Sequence, residues 1–249
     1  MISIKNQKEI EIMREGGIIL GEILEEIKKK VKSGVSTLEL NDLAEKLLFK
    51  KKVEAAFKGY KGFPTSLCTS INNVVVHGIP NSQTILKSGD IISLDLGLKH
   101  KGFYVDAAIS CGVGEITETA KKIIKVTKKA LDLAVSLVKA GIHLGDIEAA
   151  IEAYVNKKGF FVVKEFCGHG IGKELHEKPS IFNYGDPKTG PILKSGMVLA
   201  IEPMVNLGDW EIETSNDGWT VINVDRSLSA HFEHTILITP TGAEVLTKI

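Results

Sequence analysis

The sequence predicts an α+β protein built from two similar halves, with helices packed on the outer face of an antiparallel sheet and a cleft where equivalent strands meet. Three observations carry that expectation. First, KSGDIISLDLG from Lys87 matches KSGMVLAIEPM from Lys194 at a shift of 107 residues, and the same shift lays KSGVSTLELNDLAEKLL from Lys32 on KAGIHLGDIEAAIEAYV from Lys139. Two segments agreeing on one shift argue for duplication over a common helix-to-strand phrase. Second, each half opens with helical periodicity and passes into β-rich sequence. Third, 249 residues with 43% hydrophobic and 25% charged residues supply a core that needs no disulfide or metal staple. Residues 1–249 are expected to form one domain with pseudo-symmetric halves of about 1–110 and 111–249.

From Gln7 to Lys30, Ile10, Met13, Ile18, Ile19, Ile23 and Ile27 keep helical spacing with Glu and Lys on the other face, which predicts a first helix. Gly34 breaks it, Thr37 is the expected N-cap, and Leu38, Leu40, Leu43, Leu47 and Leu48 mark a second helix. KGYKGFPTSLCTSINNVVVHGIPNS is punctuated by Gly, Pro and Asn; VVVHG reads as a short strand or strand end among loops that can carry chemistry. DIISLDLGLKHKGFYVDAAISCGVG reads as a hairpin turning near Lys99 to Gly102. Residues 117–140 and 145–157 repeat the two-helix pattern, and the remainder of the chain is strand-rich.

Charge excludes several classes of partner. The 31 Lys and Arg balance 31 Asp and Glu, without the basic excess that nucleic acid or anionic lipid would require. Only Arg14 and Arg226 are arginines, so planar clamps for phosphate are scarce. Cys68, Cys111 and Cys167 are odd in number and form no CxxC pair, as expected of reduced thiols. A charged N-terminus and the lack of an apolar run of about 18 residues predict a cytoplasmic, unanchored protein.

The duplication brings Asp95, inside SLDLG, into register with Glu202, inside AIEPM. A carboxylate in apolar strand sequence needs a cation, from Lys, Arg or a metal, or else it takes up a proton. Asp106 in YVDAA and Glu233 in HFEHT form a second pair, in equivalent places if an insertion lengthens the second half. A lone acid in a strand is usually hydrogen-bonded or at an edge; four at duplicated positions favour metal. His169, between glycines in CGHGIG, offers an imidazole where the backbone can turn tightly. An oxygen-rich set with one nitrogen suits two divalent ions such as Mn, Fe, Co or Zn. Such a pair acidifies a shared water and polarises a carbonyl.

The segments GFPTSLCTSINNVVVHGIP, SLDLG, YVDAA, FCGHGIGKELHEKPSIFNY, VLAIEPM, DGWT and HFEHT together resemble the type 1 methionine aminopeptidases of the creatinase-like "pita-bread" fold, nearly end to end. The resemblance implies a single catalytic domain whose Asp95, Asp106, His169, Glu202 and Glu233 hold two divalent metal ions, Asp106 and Glu233 contacting both. It implies hydrolysis that removes the initiator methionine from nascent proteins and peptides whose second residue is small. His77 and His176 would flank the scissile bond without binding metal, His176 stabilising the tetrahedral intermediate. Glu202 would be both ligand and general base. Tyr60, Phe63, Cys68, Leu175 and Trp219 would line the methionine pocket together with the two histidines, offering surfaces suited to a thioether. Leu175, where an aromatic is frequent, and Phe57, where a cysteine is often found, depart from the family pattern and bear on the shape of that pocket.

The implied partners are nascent polypeptides beginning with Met, near the ribosome, for a monomer that binds neither nucleic acid nor membrane directly. His100, His143, His231 and His234 read as structural, with His231 or His234 available to support a ligand from behind. Three alternatives stand beside this reading. Prolidase or aminopeptidase P shares fold and ligands but has a longer chain; a catalytically dead scaffold would have lost ligands; a thiol hydrolase using Cys167 with His169 or Cys68 with His77 would leave four acids without purpose.

Overall fold

The computed structural model describes residues 2–248. Helix α1 spans Gln7–Lys28 and is opened by a capping box in which Asn6 and Glu9 satisfy each other's backbone N–H groups. Its apolar stripe is the expected one, except that Ile18 faces solvent. Helix α2, Thr37–Lys51, is capped by Ser36 and not by Thr37. The Thr37 hydroxyl instead donates to the Asn81 carbonyl, so the cap lies one residue earlier than the spacing suggested. Helices α3, Glu118–Leu137, and α4, Leu144–Lys157, repeat the pair in the second half.

The main sheet contains β1 (Leu67–Ile71), β2 (Ile91–His100), β3 (Phe103–Gly112), β4 (Gly168–Gly170), β5 (Glu177–Ile181), β6 (Val198–Ile201) and β7 (Glu233–Ile238). They pair antiparallel in the order β1-β2-β3-β7-β6-β4-β5. The pseudo-twofold therefore runs between β3 and β7. The 107-residue shift holds in atomic detail. Gly34 N–H donates to the Leu86 carbonyl at 2.9 Å and Gly141 N–H to that of Leu193 at 2.9 Å; the bridge Ser36–Ile85 has its counterpart in His143–Ile192. Gly34 and Gly141 both occupy the left-handed region, at φ 91° and 93°, which only glycine enters at low cost.

The helices cover the outer face of the sheet. Leu94, Leu96, Leu98, Val105, Ala107 and Ile109 point to that side and join the core built by both halves, while Ser93, Asp95, Asp106 and Ser110 alternate to the other. Two glycines of α1 set its approach to the C-terminal segment: a Cβ would lie 2.3 Å from the Leu246 carbonyl oxygen at Gly17 and 2.2 Å from that of Lys248 at Gly21. Between β6 and β7, where the first half has the turn Lys101–Gly102, the second half inserts a long excursion. Its strands Ile212–Thr214 and Val221–Asn223 join Val74–Val76 in a small separate sheet at the rim of the inner face.

Candidate metal centre and substrate cavity

The four acids gather on the inner face because antiparallel register puts directly opposed residues on one side. A single row across β1, β2, β3 and β7 runs Cys68, Asp95, Ala108, Glu233. The methyl of Ala108 leaves room for the carboxylates on either side. Asp106, two residues back along β3, lies opposite Gly97. Its backbone is clamped by Thr235, whose hydroxyl accepts from Asp106 N–H at 2.9 Å and donates to the Asp106 carbonyl at 2.7 Å. Glu202 follows the last residue of β6, where Pro203, lacking an N–H, cannot continue the ladder; Asn183 donates to the Glu202 carbonyl at 3.1 Å.

His169 sits in the short strand β4, with Gly168 and Gly170 pressed against neighbouring backbone. Its Nδ1 faces the Gly170 carbonyl at 2.9 Å, which fixes the tautomer and leaves Nε2 free toward Glu202 Oε1, at 3.6 Å. Asp106, His169 and Glu233 offer ligand atoms within 4.8 Å of one another, as do Glu202, His231 and Glu233. Glu233 is common to both triplets. Asp95 stands behind them, against the Asp106 carboxyl and the Cys68 thiol, and belongs to neither triplet.

The residues fit a pair of divalent ions. Asp95 Oδ1, Glu233 Oε1 and His231 Nε2 are buried without a hydrogen-bond partner, and no Lys or Arg among the described residues pairs with any of the four acids. Burial lifts Asp106 to about 7 and raises Asp95, Glu202 and Glu233 well above the usual carboxylate range, the neighbouring carboxylates pushing those three further up. Burial also pushes His169 and His231 down to about 3, so both imidazoles are neutral and available as ligands. Oxygen with some nitrogen is the donor chemistry of Mn, Fe, Co or Zn sites.

Strict equivalence between the halves is broken at one point. Gly89 N–H donates to the Val113 carbonyl and Gly196 N–H to that of Ile238, so the counterpart of Val113 is Ile238 and that of Ala108 is Glu233. Asp106 and Glu233 are thus two residues out of step. They still share a face, because strands alternate with a period of two.

Above the acids lies a cavity of about 300 Å³. Tyr60, Phe63, Cys68, His77, Leu175, His176 and Trp219 all line it, as do Phe57 and Phe166. A larger concavity of about 700 Å³ lies between α1, α2 and the C-terminal segment, far from any cluster of ligands. Chemistry, not size, selects the site. His77 holds a left-handed backbone, φ 58°, a strained state for a non-glycine residue that clusters at functional sites. Its ring stands edge-on to Phe166 at 5.3 Å and to Trp219 at 6.4 Å. Burial pushes it down to about 4. His176 Nδ1 is 2.9 Å from the Tyr60 hydroxyl, and its ring centroid is 4.3 Å from that of His169. Asp217 holds Trp219 by accepting from the Trp219 and Thr220 N–H groups. The departures noted in the sequence fall here: Phe57 packs where a Cβ on Gly97 would stand, and Leu175 is buried beside His176.

Sequence reasoning missed two features. His231 belongs to the cluster, whereas His234 faces the other way, with Nδ1 at 3.2 Å from Thr247 Oγ1. The signal was alternation: His231 and Glu233 are two apart. The loop carrying His176 is held by Glu177, which accepts from Lys173 N–H at 2.8 Å and from Lys5 Nζ at 2.7 Å in a largely buried ion pair. His100 and His143 are structural as expected, the first beside Glu15 and the second at the start of α4. Burial raises the thiols of Cys68 and Cys167, the reverse of what a thiol nucleophile requires.

The sequence profile of metallopeptidase family M24 matches residues 11–240. The chain belongs to metallopeptidase family M24. Within it, the full length is similar to methionine aminopeptidases. That of Clostridium perfringens is 48% identical over 249 residues, covering 100% of both chains. The crystal structure of methionine aminopeptidase from Thermotoga maritima superposes with a TM-score of 0.99 at 46% identity, covering 100% of both chains. The prolidase of Pyrococcus furiosus has the same M24 "pita-bread" fold, with a TM-score of 0.80 at 24% identity, and the chain covers 65% of it. The expected fold and the choice of the compact enzyme over the longer relatives are both borne out. No helix among the described residues is long and apolar enough to cross a membrane.

Proposed function

We propose that this M24 metallopeptidase removes the N-terminal methionine from polypeptides whose second residue is small, and that both halves, residues 1–249, act as one catalytic domain. One observation carries the reading: a cluster of four carboxylates and an imidazole forms the floor of a cavity whose walls are aromatic, aliphatic and sulfur-bearing. When bound, two divalent ions acidify a water and polarise the substrate carbonyl. Asp95, Asp106, His169, Glu202 and Glu233 are the residues that would hold them.

The chain's own groups do the rest. Phe63, Trp219, Tyr60, Cys68 and Leu175 take the methionine side chain by apolar and sulfur–aromatic contact and exclude water around the scissile bond. Glu202 takes the proton of the attacking water and passes it to the leaving amine. His176, oriented by Tyr60, donates to the oxygen on which charge develops, and His77 holds the amide of the second residue. A bulky second residue would crowd His77 and His176, which restricts that position to Gly, Ala or Ser. Action in the cytoplasm, near the ribosome where nascent chains emerge, follows from that substrate, and action as a monomer belongs to the same reading.

The test is release of free methionine from Met-Gly-Met-Met and from a Met-Lys peptide by chelator-stripped protein before and after Mn or Co is restored, alongside Glu202→Ala. Cleavage of the first peptide only, dependent on metal and abolished in the variant, is expected. No cleavage with two ions bound refutes the assignment.

A further inference from the structure

We propose that Lys5 is a positioning residue for the reaction: through its buried ion pair with Glu177 it sets the loop that presents His176 to the substrate. The inference rests on the reading of His176 as the donor to the oxygen on which charge develops, and deepens it by naming what holds that donor in place.

His176 ends the segment 171–176, which joins β4 to β5. The residue is exposed, and its ring is steadied by the Tyr60 hydroxyl at 2.9 Å. A ring on a connecting segment is placed no better than its backbone, and that backbone is closed by the next residue. Glu177 Oε1 accepts from Lys173 N–H at 2.8 Å and from Glu174 N–H at 3.3 Å, so the chain just after His176 is tied to the chain just before it. The Gly172 carbonyl accepts from Tyr104 N–H at 2.7 Å.

What orients Glu177 itself is Lys5. Its Nζ stands 2.7 Å from Glu177 Oε2, and the lysine side chain is 2% exposed. Lys5 lies in the N-terminal segment just before α1, where its N–H donates to the Gly196 carbonyl at 2.7 Å and the capping box of Asn6 follows. Gly172 makes the crossing possible: a Cβ there would lie 2.5 Å from Lys5 Cε and 2.7 Å from Glu177 Oε1. A second link between α1 and the loop, Lys173 Nζ to Glu9 Oε1 at 3.8 Å, is exposed on the lysine side and holds little.

A buried ion pair is a poor device for stability, because taking both charges out of water offsets their attraction and apolar residues of similar volume often serve as well. What this pair supplies is direction. One carboxylate oxygen is fixed by the ammonium and the other by two N–H groups of the loop, so Glu177 cannot turn without breaking one set. Lys5 therefore acts through the position of the His176 ring.

The experiment uses the full chain saturated with Mn²⁺, with kcat and KM measured on Met-Gly-Met-Met. Lys5→Met, which keeps the stem and removes the charge, should lower kcat by about 10- to 100-fold with KM and metal content unchanged, the mark of an interaction used in the transition state. Introduced into His176→Ala, it should bring no further loss, because it acts through a ring that is gone. Wild-type kcat in Lys5→Met overturns the inference, and so does the same fold loss with and without the His176 imidazole, which marks a residue that supports the fold alone. The neutral pair, Lys5→Met with Glu177→Gln, leaves no buried charge unpaired and decides the matter where Lys5→Met does not fold: the same loss is expected, and wild-type kcat overturns the inference. Wild-type kcat in His176→Ala itself removes both the reading of His176 and the inference built on it, whereas loss there with none in Lys5→Met removes the inference alone.

Discussion

Replacing Gly170 by alanine tests how tightly His169 is held. Strand β4 lies between β5 and β6 with no room for a side chain at this position: a Cβ would stand 2.2 Å from the Lys178 carbonyl oxygen and 2.7 Å from its carbon. Those atoms belong to backbone and cannot rotate away, so β4 and β5 must separate by roughly 1 Å to restore van der Waals contact. His169 is the adjacent residue, and its Nδ1 is anchored on the Gly170 carbonyl, so the ring moves with the strand. A misplacement of about 1 Å at a catalytic centre is worth about 10²-fold in rate, and overpacking of this kind costs about 1–3 kcal/mol of stability. Steady-state methionine release should fall by about two orders of magnitude, with weaker binding of the ion that His169 serves. Gly242→Ala, where nothing lies within 4 Å of the added carbon, is the neutral control. Wild-type turnover and metal affinity in Gly170→Ala would refute the argument that backbone packing positions the ligand.

The same geometry sets other outcomes. Glu202→Asp withdraws the carboxylate by one methylene from both imidazoles and should lower kcat by at least about 10²-fold while the fold survives, as read by single-turnover kinetics and thermal unfolding. His176→Ala should lower kcat by about 10²–10³-fold with metal content unchanged by elemental analysis, and Tyr60→Phe, which removes only its 2.9 Å partner, by far less. Metal affinity should fall as pH drops through about 7, because the proton that burial holds on Asp106 competes with the ion; calorimetry in buffers of different ionisation enthalpy would show the proton released on binding. In the chelated protein Asp106 is destabilising as pH rises from its unfolded value toward about 7, whereas His169 and His231, held down to about 3, act oppositely only below their unfolded value of about 6.5. Between pH 6.5 and about 7 the melting temperature of the chelated form should therefore fall while that of the metal-loaded form stays level.

Local pattern made most of the frame legible. Helical spacing marked the four helices, and alternation in SLDLG put Leu94 and Leu96 on one side and Asp95 on the other. A repeated phrase exposed a symmetry that the hydrogen bonds of Gly34 and Gly141 reproduce. What stayed hidden depends on pairing between distant strands. Lys5 meets Glu177 across nearly the whole sequence, and neither residue looks unusual in its own neighbourhood. His231 and His234 flank the same glutamate; alternation separates them only once β7 is known to begin at Glu233 with a regular strand before it. The clustered acids were readable because a buried acid is costly and therefore conspicuous in apolar sequence. A histidine is not, since neutral imidazole is at home in many cores.

The duplicated frame explains why acids converge, but hydrolysis of a directional chain needs the halves to differ, and they differ in two ways. Asp95 and Glu202 occupy equivalent positions, yet the extra methylene brings Glu202 within 3.6 Å of both imidazoles while Asp95 remains behind Asp106. The turn Lys101–Gly102 of the first half is replaced in the second by the excursion that carries Trp219 and ends at His231. That excursion reaches back to pair with Val74–Val76, immediately before the strained His77. Trp219, His77 and His231 are thus tied to one insertion, on one side of the axis only. The symmetric part of the molecule gathers the acids, and the asymmetric part supplies cavity wall on one side of them.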